Sequence, residues 1–226
     1  LEQEGDHFKA GRLVRANRIK KYKDTENGEW KFLNIDEETG NLVMRKGAMG
    51  HRWASEGGKW NMKLEDAEDH KPYNPALTLL NNNDGVVQVE FVDWGLNSKR
   101  YRGVPVKQIE TVDGKKIYTA TVYDITMGQY GVGRGLDGDY PADYTDKDHA
   151  YTPAWQEIFT GVDSKTVLQF AREWANTANI TEGKCMIIIG AGINHWYHNN
   201  LIYRAGIMAL MFCGCVGKNG GGLNHY

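Results

Sequence analysis

The sequence predicts an α/β protein with a β-rich, insertion-bearing N-terminal part, residues 1–122, and a Rossmann-like parallel α/β layer, residues 123–226. Three observations carry this reading. Cys185-Met186-Ile187-Ile188-Ile189 is a short apolar run between Lys184 and Gly190, the pattern of a buried parallel strand. It lies between a helical stripe at Val167, Phe170, Ala171 and Trp174 and a second apolar segment from Leu201 to Val216, which reads as a buried helix. Upstream, Val86–Val92 and Val104–Ile109 alternate apolar with polar residues, and glycine-bearing turns punctuate them.

Taken in order, residues 6–23 place Phe8, Leu13, Val14 and Ile19 so that they could line one helical face. Trp30–Ile35 alternates, and Glu38-Thr39-Gly40-Asn41 turns into Leu42-Val43-Met44, a hairpin signature. Residues 46–75 are polar and glycine-bearing, with Trp53 and Trp60 as candidate anchors of a surface loop. Val112-Asp113-Gly114-Lys115 is a hairpin turn into Ile117–Val122. Tyr123–Tyr130 then reads as a short helix stopped by Gly131. Residues 137–150 carry five aspartates, whose spacing lacks the glycine and terminal glutamate of a calcium loop, so a solvated loop is expected. Thr152 is placed to cap a helix with Pro153 in its first turn, and Asp163 or Ser164 to cap the next.

Composition narrows the possibilities. With 226 residues, 41% hydrophobic and 25% charged, the chain suits one large or two small globular domains. A formal charge of −2 leaves no basic footprint, so no nucleic-acid partner is expected. The three cysteines, Cys185, Cys213 and Cys215, cannot form an even disulfide framework, which points to a reducing compartment. The run from Leu201 to Val216 is too short for a membrane span and contains Arg204. Neither terminus carries a start or stop signal, so an excised part of a longer protein is expected.

The chemistry concentrates at two glycine turns. Gly190-Ala191-Gly192-Ile193-Asn194-His195 follows the apolar strand, at the end where open α/β sheets bind ligands. It departs from the nicotinamide fingerprint: His195 stands at the third-glycine position, and Leu210-Met211-Phe212 is apolar where an acid is required. Gly214, Gly217, Gly220, Gly221 and Gly222 supply backbone amides unshielded by side chains, the material of an anion nest. The two turns are expected to converge on one pocket edge, with Asn194 and His195 hydrogen-bonding a phosphate or sugar. His195 and His198 lack a third metal ligand of suitable spacing, and Cys213 and Cys215 lack the spacing of a zinc or iron–sulfur loop. No nucleophile elbow is present, so no catalytic residue is assigned.

The segments Met186–His198 and Phe212–Gly222 closely resemble the catalytic α subunits of membrane-bound respiratory nitrate reductases, molybdopterin oxidoreductases of the dimethyl-sulfoxide-reductase type. Supporting blocks are Ala10–Ala16, Lys59-Trp60-Asn61, Thr121–Thr126, Tyr130–Leu136 and Ala150–Trp155. The glycine cluster is shared across the broad family, whereas Asn194-His195-Trp196-Tyr197-His198 belongs to the nitrate reductase branch. The resemblance implies an internal segment of a larger multidomain subunit that reduces nitrate to nitrite at a molybdenum bis(molybdopterin guanine dinucleotide) centre. It also implies a four-iron–four-sulfur cluster and a molybdenum-ligating aspartate outside this segment. Implied partners are an iron–sulfur β subunit and a membrane cytochrome b subunit, at the cytoplasmic face of the membrane. The residues carried over are cofactor-binding ones: Gly190, Gly192, Asn194, His195, Gly214, Cys215, Gly217, Gly220 and Gly221. The isolated segment is expected to be inactive. Alternatives are a family member acting on selenate, chlorate or a hydrocarbon, and a free-standing nucleotide-binding or interaction domain.

Overall fold

The computed structural model describes residues 1–46, 64–94 and 97–225. Two compact units result, Leu1–Tyr151 and Thr152–Tyr226. The first unit is built on a five-stranded sheet in the order β1-β2-β5-β6-β7, from β1 (Glu2–Glu4), β2 (His7–Lys9), β5 (Gly85–Val92), β6 (Lys99–Glu110) and β7 (Lys116–Thr119). All pairings are antiparallel except β2 with β5, where Phe8 stands opposite Val89. Val89, Phe91 and Val104 form the core of this sheet, with Phe8 and Ile125 packed on it.

Residues 6–23 do not form the amphipathic helix that the sequence suggests. They form β2 and two short 3-10 turns, Ala16–Arg18 and Lys20–Tyr22. Phe8, Leu13, Val14 and Ile19 do not recur at a helical period. Phe8 joins the sheet core, and Ile19 packs on a separate cluster of Ala16, Tyr22 and Met44. Burial beside Asp66 pushes the Tyr22 hydroxyl up to about 12, and that hydroxyl donates to the Asp66 carboxylate.

The expected hairpin is present as β3 (Leu33–Ile35) and β4 (Leu42–Met44), with Gly40 at φ 70° in the turn and the Asp36 carboxylate accepting from Thr39 Oγ1 at 2.6 Å. Residues 47–63, which include Trp53 and Trp60, lie outside the described residues. Helix α1 (Val122–Gln129) starts where Thr121 Oγ1 accepts from the Asp124 amide and ends before Gly131 at φ 72°. The change of character expected at residue 123 is not where the compact units divide; residues 123–151 belong with the first unit.

Buried charge explains that attachment. Asp124 is fully buried, and its carboxylate accepts from Thr78 Oγ1 (2.6 Å), the Leu79 amide (2.9 Å), Thr121 Oγ1 (2.8 Å) and Arg134 Nη1 (2.8 Å). Arg102, also fully buried, donates to the carbonyls of Asp139 (2.7 Å) and Gly128 (2.8 Å), and burial lowers its pKa. Such groups are retained because protein partners replace most of the lost water contacts, while Arg102 Nη2, which makes no hydrogen bond, faces the buried Asp93 Oδ1 at 4.0 Å.

The aspartate-rich stretch 137–150 is therefore a loop, as expected, but a tethered one rather than a freely solvated one. Arg100 donates to Asp139 Oδ2 (2.9 Å) and the Asp148 carbonyl (2.7 Å), and His149 lies 2.8 Å from both Asp139 and Asp146. Burial opposes ionisation of Asp139, but His149 and Arg100 outweigh it and hold the carboxyl below its ordinary pKa.

The second unit begins with α2 (Pro153–Thr160), capped by Thr152 and ended by Gly161 at φ 70°. Helix α3 (Ser164–Ile180) is capped by Asp163. Next come β8 (Met186–Ile189), the one-turn α4 (Ala191–Asn194), α5 (Asn199–Phe212) and β9 (Gly222–His225). β8 and β9 pair in parallel, joined by the α5 crossover that parallel pairing requires. The small core is Ala178, Cys185, Leu210 and Cys215, with Trp174, Ile187 and Leu223 against it.

Burial here is thinner than the sequence pattern predicts. In β8 only Ile189 is buried, and Ile188 is 70% exposed. Phe170 of the expected α3 stripe is 65% exposed, and Leu210 alone is buried on α5. A two-stranded sheet covers only a narrow strip of each helix, so apolar faces that read as core meet solvent. Among the described residues, no helix is long and apolar enough to cross a membrane.

Candidate functional site

The carboxyl edge of β8 is assembled from three elements. β8 ends at Ile189, Gly190 continues in extended backbone (φ −118°, ψ −178°), and α4 closes at His195. His198, in left-handed backbone at φ 59°, turns the chain into α5. That helix presents Tyr203 to the turn, where its hydroxyl donates to Asn194 Oδ1, while Asn199 Nδ2 donates to the Asn194 carbonyl at 2.8 Å. β9 lies in register with β8, Ile189 opposite His225, so His225 arrives at the same edge. Its Nε2 is 3.5 Å from Asn194 Nδ2, and its ring centroid is 5.8 Å from that of Tyr203. The structure thus gathers Gly190, Gly192, Asn194 and His195 with two residues the sequence reading did not single out, Tyr203 and His225.

The two glycines of this turn have no local reason to be glycine. Neither lies at positive φ, and a Cβ added at either position meets nothing within 4 Å. Alanine would favour helical backbone over glycine by about 1 kcal/mol at position 192. The missing methyl groups instead leave the backbone amides of residues 190–192 open to a bulky group arriving from outside the chain. This open cradle fits a phosphate-bearing or planar cofactor that binds through main-chain donors.

The second glycine cluster is different in both place and cause. Met186 stands opposite Gly222, so residues 214–222 sit at the amino end of the pair, whereas Gly190 leaves the carboxyl end. Across a strand of this length the separation is about 10 Å, at roughly 3.3 Å per residue. The expected convergence of the two turns on one pocket edge is therefore corrected. In two parallel neighbours joined by a crossover, the turn leaving the first strand and the turn entering the second lie at opposite ends.

Backbone geometry accounts for the cluster's glycines. Gly214, Gly217, Gly220 and Gly222 have φ of 66°, 77°, 89° and 92°. A Cβ on Gly221 would collide with the carbonyls of Cys215 and Gly183. Cys215 is fully buried, its thiol 3.5 Å from the Cys213 carbonyl. So Gly214, Cys215, Gly217, Gly220 and Gly221 are not brought to the first turn. Among the described residues, no group of three or more histidine, cysteine or acidic side chains could hold a metal ion.

Comparison with known proteins meets this geometry. No family model matches the chain. The Respiratory nitrate reductase 1 alpha chain of Escherichia coli (strain K12) is 39% identical over 238 residues, covering 100% of this chain and 19% of that protein. The Nitrate reductase alpha chain of Bacillus subtilis (strain 168) is 37% identical over 228 residues, covering 100% of this chain and 18% of that one. The chain belongs to the nitrate reductase α-subunit family. That family is one of molybdopterin oxidoreductases. A more distant relative, the Perchlorate reductase subunit alpha of Dechloromonas aromatica (strain RCB), is 30% identical over 196 residues, covering 87% of this chain and 17% of it. The chain spans about a fifth of the length of the curated relatives it matches.

His225 escaped the sequence reading because β9 begins on the last of three glycines that read as turn, and a four-residue strand shows little periodicity. Tyr203 escaped it because it reaches the turn only through the crossover.

Proposed function

We propose that this chain is part of a longer α subunit that reduces nitrate to nitrite, and that its carboxyl edge, Gly190 to His195, holds part of one molybdopterin guanine dinucleotide. The observation that carries the reading is the cradle at Gly190 and Gly192, open where neither φ nor packing demands glycine. When bound, the molybdenum cofactor would supply the oxygen-atom-transfer and electron-transfer chemistry that turns nitrate into nitrite and water. The residues of this chain supply orientation. Main-chain amides of residues 190–192 donate to the anionic or carbonyl oxygens of the cofactor, and the exposed His195 imidazole offers a further hydrogen bond at the same edge. The rest of the longer subunit would carry a second dinucleotide and a four-iron–four-sulfur cluster. An iron–sulfur β subunit and a membrane cytochrome b subunit would deliver electrons at the cytoplasmic face of the membrane. The second glycine cluster, Gly214 to Gly221, serves the fold of the parallel pair in this reading.

The test is Gly190→Val in the full-length subunit, purified and assayed for molybdenum and for guanine nucleotide released on denaturation. Loss of both, with the subunit still folded, is expected; full retention of both overturns the assignment. The match to a perchlorate reductase subunit favours one second reading, a chlorine-oxyanion substrate. Turnover with reduced viologen on nitrate and on perchlorate in parallel separates the two.

A further inference from the structure

Asn194 looks like a ligand-binding side chain in sequence, yet its polar atoms are engaged within the fold. Its Oδ1 accepts from the Tyr203 hydroxyl, its carbonyl accepts from Asn199 Nδ2 at 2.8 Å, and its Nδ2 faces His225 Nε2 at 3.5 Å. The Tyr203 and His225 rings lie 5.8 Å apart at an interplanar angle of 31°. These contacts join α4, which follows β8, to the first half of α5 and the end of β9, and the last two elements meet at the Asn194 side chain.

We infer that Asn194 is a positioning residue, held by Tyr203 and His225, which fixes the glycine turn so that the amides of residues 190–192 and the His195 ring face the bound cofactor. The inference rests on the cofactor site proposed above and assigns two further residues to it. Two consequences separate positioning from direct contact. Removing the Tyr203 hydroxyl should mimic removing the Asn194 side chain, because both release the same strut. An aspartate at 194 keeps the acceptor for Tyr203 and can accept from His225 Nε2–H where the asparagine amide faced that nitrogen, so it preserves the strut. A carboxylate in direct contact with a cofactor phosphate would instead repel it.

The experiment uses the full-length subunit with Asn194→Ala, Tyr203→Phe, the double variant, Asn194→Asp and, as reference, Gly190→Val. Guanine nucleotide and molybdenum retained after gel filtration are measured. Hydrogen exchange of the 190–195 amides is followed in parallel. The alanine and phenylalanine variants should each retain about five- to tenfold less cofactor, the scale of one hydrogen bond. The double variant should lose no more than Asn194→Ala alone, and Asn194→Asp should stay near the parent. Exchange at residues 190–195 should rise in the first three variants, a readout that holds even where little cofactor is bound. Losses that multiply in the double variant, or Asn194→Asp as the weakest of the asparagine variants, overturn the inference while leaving the site intact. Full cofactor retention by Gly190→Val overturns the site itself, and with it this role for Asn194.

Discussion

Substituting alanine at Gly190 and at Gly221 should produce opposite results, because the two glycines exist for different reasons. At Gly221 an added methyl collides with two carbonyl oxygens, those of Cys215 and Gly183. Both are backbone atoms beside β8 and the buried Cys215, so neither can rotate away as a side chain would. Relief requires the cluster to separate from Gly183, which itself abuts the Gly214 carbonyl. Overpacking of this kind costs about 1–3 kcal/mol. At Gly190, with φ −118° and open space around the new methyl, alanine fits without strain and reduces the freedom of the unfolded chain, a gain of about 0.4–1 kcal/mol. Native-state hydrogen exchange of β8 and β9 in the full-length subunit reads both values, and cofactor content is measured on the same samples. Gly221→Ala should lower protection of the strand pair by the larger amount. Gly190→Ala should leave protection equal or higher while reducing bound cofactor. Equal destabilisation by both, or undiminished cofactor with alanine at 190, would refute the distinction between a packing glycine and a binding one.

Three further outcomes follow from the first unit. Arg102→Lys should cost about 3–5 kcal/mol, since an ammonium cannot span the carbonyls of Asp139 and Gly128 and leaves buried acceptors unpaired; chemical unfolding and faster trypsin cleavage in 137–150 would show it. Gly128→Ala should lower stability by about 1–3 kcal/mol, because the methyl would meet the Phe91 ring, with Cζ at 2.5 Å, and the fluorescence or circular-dichroism unfolding midpoint would fall. For Asp139, whose folded pKa is depressed, the stabilising contribution is present above the unfolded value of about 3.9 and is lost as pH falls through the lower folded one. Protection of residues 137–150, corrected for intrinsic exchange, should therefore hold at neutral pH and decline below about pH 4, and Asp139→Asn should reduce that decline.

What could be read from the sequence was local chemistry. Thr152 with Pro153, Asp163 before α3, Gly161 after α2 and the 38–41 turn announce themselves because caps and turns depend on a few adjacent residues. The strands β5 and β6 showed their alternation because their apolar residues recur at every second position, although both faces are covered at Val89–Phe91 and at Arg102–Val106. Long-range pairing stayed hidden. Nothing near Phe8 reveals that it lies parallel to Val89, and nothing near Leu223 reveals that it stands beside Ile187. The misplaced second glycine cluster has the same origin. Without β9, residues 214–222 read as a ligand turn; with it, they are the entry to a strand at the far end of the pair. Apolar spacing likewise indicated which faces seek burial, but not whether a covering layer is present, as the exposed Phe170 and Ile188 show.

The most direct measurement is a cryo-electron microscopy map of the full-length subunit with its molybdenum cofactor bound. The account predicts pterin or diphosphate density within hydrogen-bonding distance, about 3 Å, of the amides of residues 190–192, with Asn194 turned toward Tyr203 and His225. Density seated instead on Gly217 to Gly221, with the turn after β8 in contact only with protein, would contradict it.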